Sequence, residues 1–149
     1  MSILVDKNPR LIVQGITGRE GTFHARRMVE YGTNVVAGVT PGKGGTLIDD
    51  IPVFNSVEEA VRETGANASI LFVPALGTLS GITEAISAGI KLVVTIAEGV
   101  PVKDMRMIYH LNRIMPDLTV IGPNTFGLIS PGECKVGFMD GRIYTRGPV

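Results

Sequence analysis

The amino-acid sequence predicts an α/β fold, an open and mostly parallel sheet with helices on both faces. Three observations carry this. Short apolar runs alternate with helix-patterned segments along the chain, the pattern of a parallel sheet covered by helices. Runs such as Val35-Val36-Ala37-Gly38-Val39 have no polar side, as expected of strands buried on both faces. The first run, Leu11 to Gln14, leads straight into Gly15-Ile16-Thr17-Gly18-Arg19-Glu20-Gly21, and a helical segment follows. Strand, glycine turn and helix N-terminus in that order make a Rossmann-like arrangement. Its backbone N–H groups and helix dipole suit a nucleotide-type phosphate.

The elements follow in order. Leu11 to Gln14 reads as the first strand, and a helix runs from about Gly21 to Tyr31. Val35 to Val39 is the second strand; a Gly- and Pro-rich loop and a brief strand near Pro52-Val53-Phe54 come next. Ser56-Val57-Glu58-Glu59 has the capping-box pattern that starts a helix, and Gly65 closes it. Ala68 to Val73 is the fourth strand, Leu79 to Ala88 a helix, and Lys91 to Ile96 the fifth strand. Pro101 starts a helix from about Val102 to Met115. Thr119-Val120-Ile121 is the sixth strand. From Gly122 the sequence turns rich in Gly and Pro, an irregular excursion with a hairpin that leads out of the domain. The reading is one domain over residues 1–149, its tail leading toward a second domain that this chain lacks.

Composition narrows the function classes. At 149 residues the chain can bury a core of its own. Fourteen basic residues balance fourteen acidic ones, so no net field draws in nucleic acid or an anionic membrane. Aromatic content of 5% with no Trp argues against base-stacking platforms. The single cysteine, Cys134, excludes an internal disulfide and points to a reduced, cytoplasmic setting. Met1 to Lys7 lacks the pattern of a signal peptide, and no apolar run is long enough to span a bilayer.

The residue after each strand selects the nucleotide, because ligands bind where strand carboxyl ends gather. Thr17 offers a hydroxyl to a phosphate oxygen. After the second strand an NAD-binding domain carries an acid for the ribose. This chain instead has Thr40-Pro41-Gly42-Lys43-Gly44-Gly45. A lysine there suits an extra ribose phosphate, as in NADP or coenzyme A. The loops Pro74-Ala75-Leu76-Gly77 and Ala97-Glu98-Gly99-Val100-Pro101 are small and apolar, suited to a thin chain such as pantetheine.

Assembled, these motifs resemble the amino-terminal, CoA-binding domain of succinyl-CoA synthetase (succinate–CoA ligase) α subunits. The matching stretches are Gln14 to His24, Tyr31-Gly32-Thr33, Gly38 to Gly45, Pro52-Val53-Phe54, Val73-Pro74-Ala75, Ala88 to Lys91, Glu98 to Pro101, Gly122-Pro123-Asn124 and Pro131 to Lys135. The resemblance implies coenzyme A as cofactor, with its phosphates at Thr17, Gly18, Arg19, Glu20 and Lys43. It implies the pantetheine arm at Ile96, Ala97 and Glu98, with Val73 and Pro74 beside it. It further implies a nucleotide-binding β subunit as partner and succinyl-CoA as product. The family's phosphorylated histidine belongs to a second α domain, so this chain is not expected to catalyse the ligase reaction alone. Thr125-Phe126 stand where the family pattern has Cys-Pro, which puts a role for that cysteine in doubt, and Ala97 replaces a usual Thr.

The remaining chemistry-bearing residues read blandly. His24 is expected to pack or cap beside the glycine turn, and His110 to lie on a helix surface. Asp49 and Asp50 read as solvated loop acids, and Cys134 lacks a neighbouring His that would make it a nucleophile. If Glu20 contacts a phosphate, its backbone N–H is the contact. Two other classes stay open: a stand-alone CoA-binding regulatory module and an NADP-binding oxidoreductase domain.

Overall fold

The computed structural model describes residues 3–5 and 8–148. Met1, Ser2, Asp6 and Lys7, which enter the leader reading, lie outside the described residues. No helix among the described residues is long and apolar enough to cross a membrane.

The chain runs β1 (Leu11–Gln14), α1 (Arg19–Tyr31), β2 (Val35–Val39), β3 (Leu47–Ile48), β4 (Ile51–Phe54), α2 (Val57–Thr64) and β5 (Ala68–Leu71). A single 3-10 turn at Ala75–Gly77 precedes α3 (Thr78–Ser87), and β6 (Leu92–Thr95), α4 (Val102–Ile114), β7 (Thr119–Ile121), β8 (Gly127–Ser130) and β9 (Cys134–Gly137) complete it. Among the described residues, seven strands form one sheet in the order β3-β4-β2-β1-β5-β6-β7. All neighbours are parallel except the β3–β4 pair. Sequence order reverses at β1, which pairs with β2 on one side and β5 on the other. Such a switch point opens a crevice at the strand carboxyl ends.

Alternation along β1 divides the core between two layers. Leu11 and Val13 face one apolar cluster with Ile16, Ala25, Met28, Ile70 and Val94. Ile12 faces the other, with Val57, Ala60, Ile82, Ala85, Val93 and Ile108. The second layer is covered by α2, α3 and α4, and the first by α1 together with β9.

The local signals act as their chemistry requires. Ser56 caps α2 by accepting from the N–H of Glu59, and the Glu59 carboxylate accepts from the N–H of Asn55. Gly65 then closes the helix in the left-handed conformation. Helix α1 starts two residues before the expected Gly21, because Gly18 already serves as its N-cap. Strand β5 ends at Leu71, not Val73, leaving Phe72 and Val73 on the sheet edge. Asp49, at φ 52°, turns β3 back on β4, and its carboxylate accepts from Arg26 Nε at 2.8 Å. It therefore ties this hairpin to α1 while remaining exposed to water, as its loop position predicts.

The tail is more ordered than its Gly- and Pro-rich composition suggests. Strands β8 and β9 pair as an antiparallel hairpin, and this hairpin packs on α1. Cys134 and Val136 join the first core cluster. The Thr33 hydroxyl donates to the carbonyl of Lys135 at 2.7 Å and accepts from its N–H at 2.9 Å. Burying apolar surface on α1 outweighs the loop-like composition of this segment.

Candidate functional site

Each of the three glycines meets a different requirement. Gly15 turns the chain at φ 76°, and a side chain there would strike the carbonyl of Phe72. Gly21 packs α1 directly on the turn, where a Cβ would overlap the Gly15 carbonyl oxygen. Gly18 is exposed, has extended geometry at φ −73° and ψ 161°, and has no crowded neighbour except the Gly15 oxygen, 3.3 Å from a built Cβ. It leaves room for a ligand to approach the backbone. No side chain caps α1, so the first N–H groups of the helix face the crevice with the dipole behind them.

The crevice is a groove along the carboxyl edge of the sheet. Gly18, Arg19, Glu20 and Gly21 form one wall; Leu71 at the end of β5 and Phe72, Val73 and Pro74 after it, with Ile96 and Ala97 after β6, form the other. Of the ten expected site residues, Gly18, Arg19, Glu20, Val73, Pro74, Ile96 and Ala97 meet here. Thr17, Lys43 and Glu98 do not line it.

Thr17 lies in the glycine turn, and its hydroxyl donates to Thr40 Oγ1 at 3.1 Å. The hydroxyl expected to meet a phosphate thus also binds the loop carrying Lys43. In that loop Lys43 N–H donates to the Thr40 carbonyl at 3.0 Å, and the Lys43 carbonyl accepts from Thr46 Oγ1 at 2.7 Å. Asn55 Oδ1 accepts from the N–H groups of Gly42 and Gly44 at 2.9 and 3.0 Å. The backbone around Lys43 is therefore fixed, and its side chain is exposed. Glu98 is exposed just beyond Ala97, whose carbonyl accepts from the N–H of Asn124 at 3.0 Å.

His24 packs where the sequence places it, one turn into α1. Its side chain is 16% exposed, and Nε2 stands 3.3 Å from Glu20 Oε2. The ring stacks on Phe72 at 5.4 Å and meets Phe23 and Phe138 at 5.0 and 5.5 Å. Burial pushes its pKa below the ordinary value, against the opposing pull of Glu20, which favours the neutral ring. His110 lies exposed on α4, and Cys134 is buried in the core.

Sequence reasoning missed three residues: Phe72, Thr40 and Asn55. Phe72 lies inside the strand when that strand is drawn two residues too long. Asn55 stands directly after β4 and before a helix cap, a position where an Asn side chain commonly binds local backbone.

Comparison with known proteins agrees with this geometry. The family model described as "CoA binding domain" matches residues 6–99. A succinate–CoA ligase [ADP-forming] α subunit from Aquifex aeolicus is 57% identical over 100% of this chain and 49% of its own length. A malate–CoA ligase α subunit from Methylorubrum extorquens is 50% identical over 100% of this chain and 51% of its own length. The chain spans about half the length of these curated relatives. Among solved structures, ATP citrate lyase from Methanothrix soehngenii, in complex with citrate and coenzyme A, aligns with a TM-score of 0.79 at 24% identity. The alignment covers 91% of this chain and 24% of that one, and at this identity it speaks for the fold. With a family model matched across the turn, the groove and its flanking strands, the chain belongs to the CoA binding domain family.

Proposed function

We propose that the groove binds coenzyme A for an acid–CoA ligase, the chain acting as the CoA-binding part of a succinate–CoA ligase α subunit. One observation carries this reading most directly. Gly15, Gly18 and Gly21 bring an uncapped helix N-terminus to the switch point of the sheet, beside a fixed loop that offers Lys43. The backbone N–H groups of Arg19 and Glu20 take the pyrophosphate as it passes over Gly18, whose own N–H donates to the Gly15 carbonyl at 3.1 Å. Lys43 takes the ribose phosphate, and Val73, Pro74, Ile96 and Ala97 line the pantetheine arm, which ends near Glu98. The acid is a dicarboxylate, succinate in the first reading, since the similar α subunits are named for succinate and for malate. A nucleotide-binding β subunit is the partner, and a cytoplasmic setting fits the composition. Catalysis requires the phosphohistidine of a further domain.

Calorimetric titration with CoA, dephospho-CoA, NADP and NAD tests the assignment. CoA should bind tightest, and dephospho-CoA more weakly because it lacks the phosphate that Lys43 meets. Preference for NADP over CoA would replace the reading with a dinucleotide-dependent oxidoreductase domain.

A further inference from the structure

Glu20 is the one acid in the first turn of α1 and also part of the groove wall. Its position creates a conflict for any anionic ligand. An acid in the first turn is attracted by the same N-terminal field that would hold a phosphate. Helical side chains also lean toward the N-terminus by default, so an unrestrained Glu20 carboxylate would lie over the open N–H groups. The structure holds it elsewhere. Glu20 Oε2 lies 3.3 Å from Nε2 of His24, four residues further along the helix.

His24 is suited to hold it there. Phe72 stacks on one face of the ring, with Phe23 and Phe138 against it. Phe72 in turn belongs to the opposite wall of the groove, and Phe138 follows the tail hairpin. The imidazole is thus clamped by residues from α1, the β5 edge and the tail, and its nitrogen faces the acid.

We propose that His24 is a positioning residue for the anion site: it draws the Glu20 carboxylate back from the N-terminus of α1 and leaves that field to the ligand's phosphates. The inference rests on the CoA reading above. His24 itself touches no ligand atom. Its removal frees an internal competitor, and removal of the competitor's charge should make His24 dispensable.

The test is a double-mutant cycle read by CoA titration at low salt. His24→Phe keeps an aromatic ring among the three phenylalanines and should raise the Kd for CoA roughly threefold to tenfold, the scale of a single charge at a helix end. Glu20→Gln keeps the backbone N–H and removes only the competing charge, so it should bind CoA more tightly than the wild type. The double variant His24→Phe, Glu20→Gln should return to the Glu20→Gln affinity. Raising the salt should shrink the His24→Phe defect, since the competition is electrostatic. Should His24→Phe fail to fold, His24→Met in the same cycle reads the same coupling. Wild-type affinity in His24→Phe would overturn the proposal, as would a double variant as weak as His24→Phe, because ring packing alone would then explain the loss. If the wild-type chain takes up no CoA, the CoA reading itself fails. Binding by the wild type with no coupling between the two positions defeats only the role given to His24.

Discussion

Thr17 and Thr40 meet hydroxyl to hydroxyl, 3.1 Å apart across the sheet edge. One belongs to the glycine turn after β1, the other to the loop after β2. The contact couples the two segments expected to hold different phosphates of one ligand, so their spacing is set before the ligand arrives. Prealignment of this kind lowers the entropy lost on binding.

Lys43→Ala should therefore weaken CoA much more than dephospho-CoA. A charge-assisted contact contributes roughly 1.5–3 kcal/mol, and the exposed loop favours the lower end of that range. Parallel calorimetric titrations decide the matter. Equal losses for the two ligands would mean that the lysine acts elsewhere.

The glycines should separate folding from binding. Gly21→Ala forces a methyl group onto the Gly15 carbonyl and should destabilise the fold by about 3 kcal/mol, the upper end of overpacking costs. Gly18→Ala has far more room and should fold nearly normally while binding CoA more weakly. Urea unfolding and titration of both variants would show the contrast, and two equally unstable variants would contradict it.

Stability should fall in mild acid because of His24. In the unfolded chain its imidazole gains a proton near its ordinary pKa of about 6.5. In the folded chain, burial lowers that pKa, with Arg27 of α1 and Lys135 of β9 adding to the effect and Glu20 opposing it. The unfolded state thus holds more protons as pH drops below about 6.5, so stability declines there and is fully present above it. Comparing wild type with His24→Phe by urea unfolding at several pH values isolates this contribution. The same slope in both proteins would assign it to other groups.

Thr33→Val should cost about 1–3 kcal/mol, the usual penalty for stranding buried backbone groups. It removes both hydrogen bonds to Lys135, on a residue that is only 5% exposed. The urea midpoint should fall with an unchanged slope. No change in midpoint would mean that the hairpin gains little from this tie.

No phosphohistidine should form on this chain. With a β subunit of the ligase, radiolabelled ATP and CoA, it should stay unlabelled. His24 is packed among aromatic rings, and His110 is exposed on α4 away from the groove wall. Acid-labile, base-stable phosphate on His24 would make the domain catalytic.

Signals that act within a few residues were legible in the sequence. The glycine turn, the Ser56 cap, the Gly65 stop and the buried strands each rest on local backbone chemistry or on an apolar run. The missed features depend on distant partners. Strand β3 has two residues and exists because β4 pairs with it and Arg26 grips Asp49. The tail hairpin is held by α1 and the turn that follows it, about a hundred positions away, through the core around Met28 and through Thr33. Neither relationship leaves a mark in the local pattern. Seven expected site residues meet at the groove because strand ends converge in this topology, whereas Lys43 and Glu98 lie on loops whose reach depends on contacts such as that of Asn55.

The β8–β9 hairpin also bears on where this chain can be cut. The family match stops at residue 99, yet Ala25 and Met28 on the helix behind the glycine turn share their core cluster with Cys134 and Val136. A fragment trimmed to the matched span would keep the whole glycine turn and still leave the underside of that helix wet. Transplanting this turn into another scaffold would require a stand-in for residues 127–137, because α1 is held from beneath by a segment that does not line the groove.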